Sequence, residues 1–248
     1  MKVFILATCR KPELLPAATL VFKTLRVGFP NNQVHVTLNT SVLGCEFSKI
    51  AEVADSESCV IDTEQTIHHE WIEDLVHNQD EPFIILDTDV VFHKQFDVTG
   101  LDQTYLSGDY VPQFFDKFSG CITMPRLHTS LLYIDPVEVG KRLDVWQSRI
   151  LKTPFTPSAK VIHPMVIPVH GTNYFYDTCS VLFHAISGTK FGPEKLDCYD
   201  HLNCATWVDL AEKAYPGMSQ IHQRIYDNPA TAKQLRPLQR EFYRNNAC

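Results

Sequence analysis

The chain has 248 residues, a net charge of −7 and eight scattered cysteines without a Cys-x-x-Cys pair. The length fits one large α/β domain with a sizeable core. The negative charge argues against non-specific nucleic-acid binding, which requires a basic face. The scattered cysteines indicate free thiols rather than disulfides or a zinc site, and the sequence contains no apolar run long enough to cross a membrane. These features predict a cytoplasmic protein.

The first ninety residues alternate between apolar strands and amphipathic helices. Unbroken apolar runs, typical of strands buried on both faces, predict strands at residues 2–7, 59–61 and 83–86, and residues 34–38 are predicted to form a further strand. Apolar residues spaced three and four apart predict helices from residue 12 to the stop at residue 28, and over residues 66–77. This alternation requires parallel crossovers and predicts an α/β fold with a doubly wound, mostly parallel sheet.

The second half of the chain is less regular. Residues 104–126 show no clear period and are either a functional loop over a cleft or an ordinary insertion. The remaining patterns predict a strand at residues 130–134, helices at 137–150 and about 176–186, and a loop at 188–200. Residues 152–168 contain four prolines and are predicted to be extended or looped. We therefore expect a single domain over residues 1–248 with an irregular second half.

Two carboxylates, Asp87 and Asp89, directly follow the apolar run Phe83–Leu86. Ligands of open α/β sheets bind at the carboxyl ends of strands, so both lie where a ligand is expected. Neighbouring carboxylates repel each other unless a cation lies between them, and oxygen ligands favour Mg²⁺ or Mn²⁺. The pattern predicts a divalent metal site; the alternative is a turn in which both aspartates are structural.

Three segments resemble one enzyme family. Residues Phe83–Phe92 resemble the Asp-x-Asp segment of nucleotide-sugar glycosyltransferases of the glycosyltransferase-A fold. Residues Leu127–Pro136 are similar to that family's strand after the acceptor loop, and Cys198–Asn203 to the stretch in which a His completes the metal site. The resemblance implies a nucleotide-sugar-binding half over residues 1–100 and an acceptor-binding half over residues 101–248.

The resemblance also implies roles for individual residues. The metal ligands of Mn²⁺ or Mg²⁺ would be Asp87, Asp89 and His201, and for His201 an ordinary hydrogen-bonded histidine is the alternative. The nucleotide sugar would contact the carboxyl ends of the first strands, where an arginine or lysine pairs with diphosphate. The candidates are Thr8, Cys9, Arg10, Lys11, Asn39, Asp62 and Thr88. Solvated cations and turn residues are the alternative for this set.

Two acidic residues of the second half are candidate catalytic bases. If sugar transfer inverts the anomeric centre, a base must deprotonate the acceptor hydroxyl, and Asp177 and Asp116 are the candidates. The resemblance implies that an acidic residue at Asp177 contacts the acceptor or the transferred sugar. The alternative is a carboxylate that satisfies free N–H groups at a helix start. A retaining transfer needs no base. The acceptor would be a glycan, a lipid-linked sugar or a small molecule.

Two other functions compete with the glycosyltransferase reading. The Asp-x-Asp segment also looks like the first motif of haloacid-dehalogenase-like phosphatases, in which Asp87 would be the nucleophile. That motif normally lies on the first strand of its domain, whereas a whole α/β half precedes Asp87. The non-enzymatic alternative is a nucleotide-binding module with structural aspartates.

The end of the chain carries basic residues at helical spacing. They are Lys233, Arg236, Arg240 and Arg244. A stripe of this kind commonly faces solvent. The more specific alternative is peripheral contact with a membrane surface or an acidic acceptor.

Overall fold

The computed structural model describes residues 1–9, 15–40, 59–62, 68–116, 119–150 and 161–201, together with residues 220 and 224. Two groups of sequence predictions lie outside the described residues. The first is the pair of diphosphate-binding candidates, Arg10 and Lys11. The second is the basic stripe at Lys233, Arg236, Arg240 and Arg244.

Three parallel strands form one side of the sheet. β1 spans Lys2–Cys9, β2 spans Gln33–Thr40 and β3 spans Cys59–Asp62. β1 pairs in parallel with β2, and β2 pairs in parallel with β3. Every side chain from Val3 to Ala7 is buried, as expected for a strand without polar alternation.

Two predicted helices of the first ninety residues are present. α1 spans Leu15–Gly28 and α2 spans His68–Asn78. α1 buries apolar residues at helical spacing, among them Val21 and Leu25. α2 buries Trp71 and Ile72. The predictions of both helices are confirmed because the 3.6-residue period of a helix places such residues on one face.

The central apolar run forms the strand that precedes the two aspartates. β4 spans Phe83–Asp87, and its four apolar residues are buried. A two-residue turn, Thr88 and Asp89, leads into β5, which spans Val90–Phe92 and is also buried.

Residues 104–126 contain three strands: β6 at Leu106–Val111, β7 at Phe114–Asp116 and β8 at Cys121–Thr123. The interpretation of the whole stretch as a loop is wrong, whereas its interpretation as an ordinary insertion stays a prediction. Two of its strands have only three residues, and such short elements carry no detectable period.

The next strand and helix lie near their predicted places. β9 spans Arg126–Ile134, which is longer than predicted, and α3 spans Pro136–Ile150. Asp135 caps α3, since its Oδ1 accepts a hydrogen bond of 3.0 Å from the Glu138 amide. Proline suits the first helical position, because no backbone N–H is needed there.

Two strands precede the next helix. β10 spans Met165–Val169, β11 spans Thr172–Tyr176 and α4 spans Ser180–Ile186. Residues 152–168 were predicted to be extended or looped, and their end is extended: β10 is an edge strand that tolerates proline. The predicted helix start near residue 176 is wrong. The aromatic residues up to Tyr176 favour the strand β11. The backbone of Cys179, with a φ of 63°, has a left-handed conformation and not that of a right-handed helix.

The predicted loop over residues 188–200 holds three short elements. β12 spans Thr189–Lys190, α5 spans Pro193–Leu196 and β13 spans Tyr199–His201. The loop prediction is wrong because β12 and β13 are defined by distant strand partners, and α5 is a single turn too short to show a period. β13 pairs antiparallel with β5 and forms a separate two-stranded ribbon with it.

The strands form a seven-stranded sheet in the order β12-β6-β9-β4-β1-β2-β3, and a four-stranded sheet in the order β10-β11-β8-β7. In the larger sheet β12 and β6 are parallel, whereas β6 and β9 are antiparallel. The prediction of a doubly wound, mostly parallel sheet is confirmed. The chain builds from β1 out to β3 and then returns to β4 on the other side of β1. Ligands of α/β sheets bind at such a reversal, outside the carboxyl ends of the strands.

The chain divides into two compact units that alternate along the sequence. Of the described residues, the first unit contains 1–9, 15–40, 59–62, 86–97 and 192–201, together with 220 and 224. The second unit contains 68–85, 98–116, 119–150 and 161–191. These units are interleaved, unlike the predicted halves at residues 1–100 and 101–248. The single-domain organisation stays a prediction.

Two further findings concern the membrane and the thiols. Among the described helices, none is long and apolar enough to span a bilayer. Cys121, Cys179 and Cys198 are buried free thiols. Buried free cysteines behave as small apolar residues, as predicted from their scattered positions.

Candidate functional site

A buried carboxylate lies in the turn after β4, in the first unit. Asp87 ends the strand and is half-buried, while Thr88 and Asp89 are only 3% and 4% exposed. Burying an ionised carboxylate is costly unless another group compensates its charge. Asp89 therefore requires a positively charged or metal partner.

His201 lies against this carboxylate. The antiparallel register pairs His201 with Val90, the first residue after the turn. His201 Nε2 lies 3.0 Å from Asp89 Oδ1, and the two side chains are 13% and 5% exposed. Asp89 Oδ1 nevertheless has no hydrogen bond of acceptable geometry among the described residues. The structure thus brings together two of the three predicted metal ligands.

The spacing of these two atoms suits a shared cation. Adjacent ligands about 2.1 Å from an octahedral ion are roughly 3.0 Å apart. Oxygen and imidazole nitrogen are both ligands that Mn²⁺ accepts. The described residues contain no group of three His, Cys, Asp or Glu side chains arranged to hold a metal ion. The role of Asp87 as a third ligand stays a prediction.

A second acid–histidine pair lies on the same ribbon. His93 Nε2 and Asp200 Oδ2 are 2.5 Å apart, with side chains 10% and 5% exposed. His93 directly follows β5, and Asp200 precedes His201 in β13. Two Asp–His pairs therefore link the two strands of the ribbon.

The predicted donor-binding residues of the first strands share one row of the sheet. Thr8 of β1 is paired with Asn39 of β2, and Asn39 is paired with Asp62 of β3. The row lies at the carboxyl ends of three neighbouring parallel strands, with Cys9 one position further along β1. Backbone register therefore brings these candidates to one edge, as the sequence predicted. Their contact with a nucleotide stays a prediction.

Asp177 is held by two groups of the second unit. Its Oδ2 lies 2.9 Å from Arg126 Nη2, and its Oδ1 accepts a hydrogen bond of 2.8 Å from the Thr178 amide. Arg126 Nη1 is buried and has no hydrogen-bond partner among the described residues. Asp177 is about one-third exposed, so it keeps a face toward solvent while its orientation is set.

Asp116 ends β7, also in the second unit. Its Oδ2 accepts a hydrogen bond of 2.6 Å from Ser119 Oγ, and its backbone oxygen accepts one from the Gly120 amide. This pattern is typical of an aspartate that starts a turn. The candidate bases Asp116 and Asp177 thus both belong to the second unit, whereas Asp87, Asp89 and His201 belong to the first.

Sequence reasoning missed His93, Asp200 and Arg126 as parts of these clusters. Asp200 directly precedes the predicted ligand His201. Side chains alternate along a strand, so a strand at this position would place Asp200 on the face opposite His201, and this was the signal available for Asp200. No local pattern marks His93 or Arg126, because their partners are distant in the sequence.

No family model matches the sequence, and no curated protein matches it. Among solved structures, the chain is similar to the bifunctional glycosyltransferase WbbM, with 8% identity and a TM-score of 0.44 over 78% of this chain and 38% of that one. It is also similar to the galactosyltransferase LgtC in complex with donor and acceptor sugar analogues, with 8% identity and a TM-score of 0.40 over 77% of this chain and 73% of that one.

An active-site mutant of LgtC matches at 9% identity and a TM-score of 0.41, over 77% of this chain and 72% of that one. The chain spans well under half of the length of WbbM. At these values the similarity assigns no activity to the chain.

Proposed function

We propose that the chain is a metal-dependent glycosyltransferase that moves a sugar from a nucleoside-diphosphate sugar to an acceptor hydroxyl. One observation carries the proposal: in the turn after β4, the buried Asp89 Oδ1 lies 3.0 Å from His201 Nε2 and has no well-formed hydrogen bond within the described part of the chain. The same two segments carry the resemblance to glycosyltransferases of the glycosyltransferase-A fold. A shared cation explains why both groups are buried at this position.

The proposed metal ligands are Asp89 and His201, completed by Asp87. Mn²⁺ or Mg²⁺, when bound, neutralises the charge of the diphosphate and acts as a Lewis acid on the leaving oxygen. The role of His201 requires a neutral imidazole with Nε2 directed at the site. The ribbon of β5 and β13 keeps the Asp89 and His201 donor atoms together.

The donor would lie along the carboxyl ends of β1, β2 and β3. Thr8, Asn39 and Asp62 occupy one row of the backbone register there, and residues of these types could bind a base and ribose. Arg10 or Lys11, in the segment after β1, would pair with the diphosphate.

The acceptor would be oriented by Asp177, with Asp116 as the second candidate. Arg126 and the Thr178 amide hold the two Asp177 oxygens in one orientation, and this pre-organisation suits a residue that binds a hydroxyl. In an inverting reaction, one of these carboxylates would also accept the hydroxyl proton. We place the reaction in the cytoplasm, a proposal that the buried free thiols support.

The test is a thermal-shift panel of nucleoside diphosphates and nucleotide sugars, each with and without Mn²⁺. A ligand at 100 times its dissociation constant stabilises the folded state by about 2.7 kcal/mol. For a chain of this size, that corresponds to a melting-temperature rise of roughly 5–10 °C. We expect such a rise for at least one nucleoside diphosphate, and only when Mn²⁺ is present.

Two isosteric variants make this test specific to the site. Asp89→Asn should abolish the Mn²⁺-dependent rise, whereas Asp80→Asn, at an exposed position of the second unit, changes the net charge equally and should preserve it. Incubation of the stabilising nucleotide sugar with candidate acceptors should then release the nucleotide together with a glycosylated product. The absence of any metal-dependent ligand would refute the proposal. Phosphate release from phosphoesters without sugar transfer would favour the phosphatase alternative.

A further inference from the structure

The ribbon of β5 and β13 carries a buried pair that the proposed chemistry does not use. His93 Nε2 and Asp200 Oδ2 are 2.5 Å apart, and their side chains are at least nine-tenths buried. Exposed ion pairs contribute little to stability, but breaking a buried pair leaves an uncompensated group and is costly. The pair therefore acts as a strong constraint on the two strands that carry it.

The register of the ribbon explains why these side chains meet. Asp200 is paired with Val91, and His93 lies two residues beyond Val91. Side chains two apart in a strand share a face, so His93 and Asp200 are diagonal neighbours across the ladder. His201, one position after Asp200, projects to the opposite face, where it reaches Asp89.

The ribbon is short, and its described contacts besides this pair include the packing of Tyr199 against Phe92 and Phe96. β13 has only three residues, and a two-stranded ribbon is marginally stable by itself. A slip by one residue would exchange the faces of Asp200 and His201 and would remove the His201 imidazole from Asp89. The backbone constraint closest to the pair is the hydrogen bond of 2.9 Å from the His93 amide to the Cys198 carbonyl.

We propose that His93 and Asp200 form a positioning pair that fixes the register of β13, and thereby holds His201 Nε2 against Asp89 for metal binding. The proposal rests on the proposed function for its metal, but the positioning itself is a property of the metal-free protein. Asp200 does not bind the ion in this role. Asp200 acts through the backbone that it shares with His201, as residues around a metal site do when they orient a ligand without binding the ion.

The first readout is the affinity for Mn²⁺ alone, measured by the loss of the electron paramagnetic resonance signal of the free ion. We expect Asp200→Ala to weaken Mn²⁺ binding roughly 10- to 100-fold, the range typical of lost outer-shell partners. Asp200→Asn retains an oxygen acceptor for the His93 ring and should weaken binding only several-fold.

The matched control is another carboxylate–histidine pair, Glu73 and His163, in the second unit. Glu73 Oε2 lies 3.0 Å from His163 Nε2, and both side chains are partly buried. Glu73→Ala should lower the melting temperature but leave the Mn²⁺ affinity unchanged. A loss of stability alone therefore cannot reproduce the result expected for Asp200→Ala.

The second readout needs no metal: the side-chain ¹H–¹⁵N nuclear magnetic resonance signals of the His201 ring. We expect Asp200→Ala to move these signals toward those of a solvent-exposed imidazole, Asp200→Asn to move them less, and Glu73→Ala to leave them in place. If wild-type protein binds no Mn²⁺, the proposed function fails, whereas the His201 signals still decide the positioning role.

Unchanged His201 signals in the Asp200 variants would overturn the proposal. A wild-type Mn²⁺ affinity in Asp200→Ala would do the same. If Asp200→Ala does not fold, Asp200→Asn decides, since a several-fold weaker Mn²⁺ affinity and moved His201 signals are expected there too.

Discussion

The close approach of α1 to β5 predicts a large difference between two glycine-to-alanine variants. Gly28 is the last residue of α1 and is buried. A Cβ atom at this position would lie 2.5 Å from Cγ and Cδ1 of the Phe92 ring and 2.9 Å from Cδ2. Phe92 is 2% exposed and packs edge-on against Phe29 at a centroid distance of 5.1 Å. The ring therefore has no open space into which to turn.

The magnitude follows from how far the ring must move. Carbon atoms prefer separations of about 3.5–4.0 Å, so the ring or the helix must shift by roughly 1 Å. Overpacking of a filled core costs about 1–3 kcal/mol, and replacing a helical glycine by alanine recovers about 0.5–1 kcal/mol. We expect Gly28→Ala to lower the free energy of unfolding by about 1–2 kcal/mol, or the melting temperature by roughly 3–6 °C.

Gly140→Ala provides the matched control. Gly140 lies within α3, and no atom of the described residues counted as a neighbour lies within 4 Å of a Cβ built there. The substitution should therefore stabilise the protein by about 0.5–1 kcal/mol through helix propensity alone. Urea denaturation followed by circular dichroism measures both variants. A Gly28→Ala protein that is as stable as Gly140→Ala would refute the packing explanation.

Two further predictions concern pH. Burial, followed by the charges of Asp135 and Asp102, raises the pKa of Tyr133 to about 12. The stability that the neutral phenol contributes is thus complete below its ordinary pKa near 10, and is lost as pH rises toward 12. Stability measured by urea from pH 9 to 11.5 should fall more steeply for wild type than for Tyr133→Phe; parallel curves would contradict this. Burial, and then the charge of His163, lowers the pKa of His69. The neutral imidazole therefore contributes stability above pH 6.5 that is lost as pH falls. Between pH 7.5 and 5, wild type should lose more stability than His69→Asn, and equal losses would argue against a partly buried neutral imidazole.

The sequence alone determined the elements whose signals are local and repeated. Unbroken apolar runs predicted β1 and β4, because only a strand covered on both faces tolerates such runs. The position of Asp87 and Asp89 at the end of β4 followed from the point where the apolar run Phe83–Leu86 ends. The row of Thr8, Asn39 and Asp62 followed from parallel strands, whose carboxyl ends meet at one edge.

The tertiary structure decided what depends on partners far apart in the chain. His93 and Asp200 are separated by 107 residues, and nothing near either one marks the other. The strands β7, β8 and β13 have three residues each, too few to show a period, and exist because neighbouring strands satisfy their backbone groups. Local chemistry thus placed the carboxylates, whereas only long-range pairing could bring His201 to Asp89.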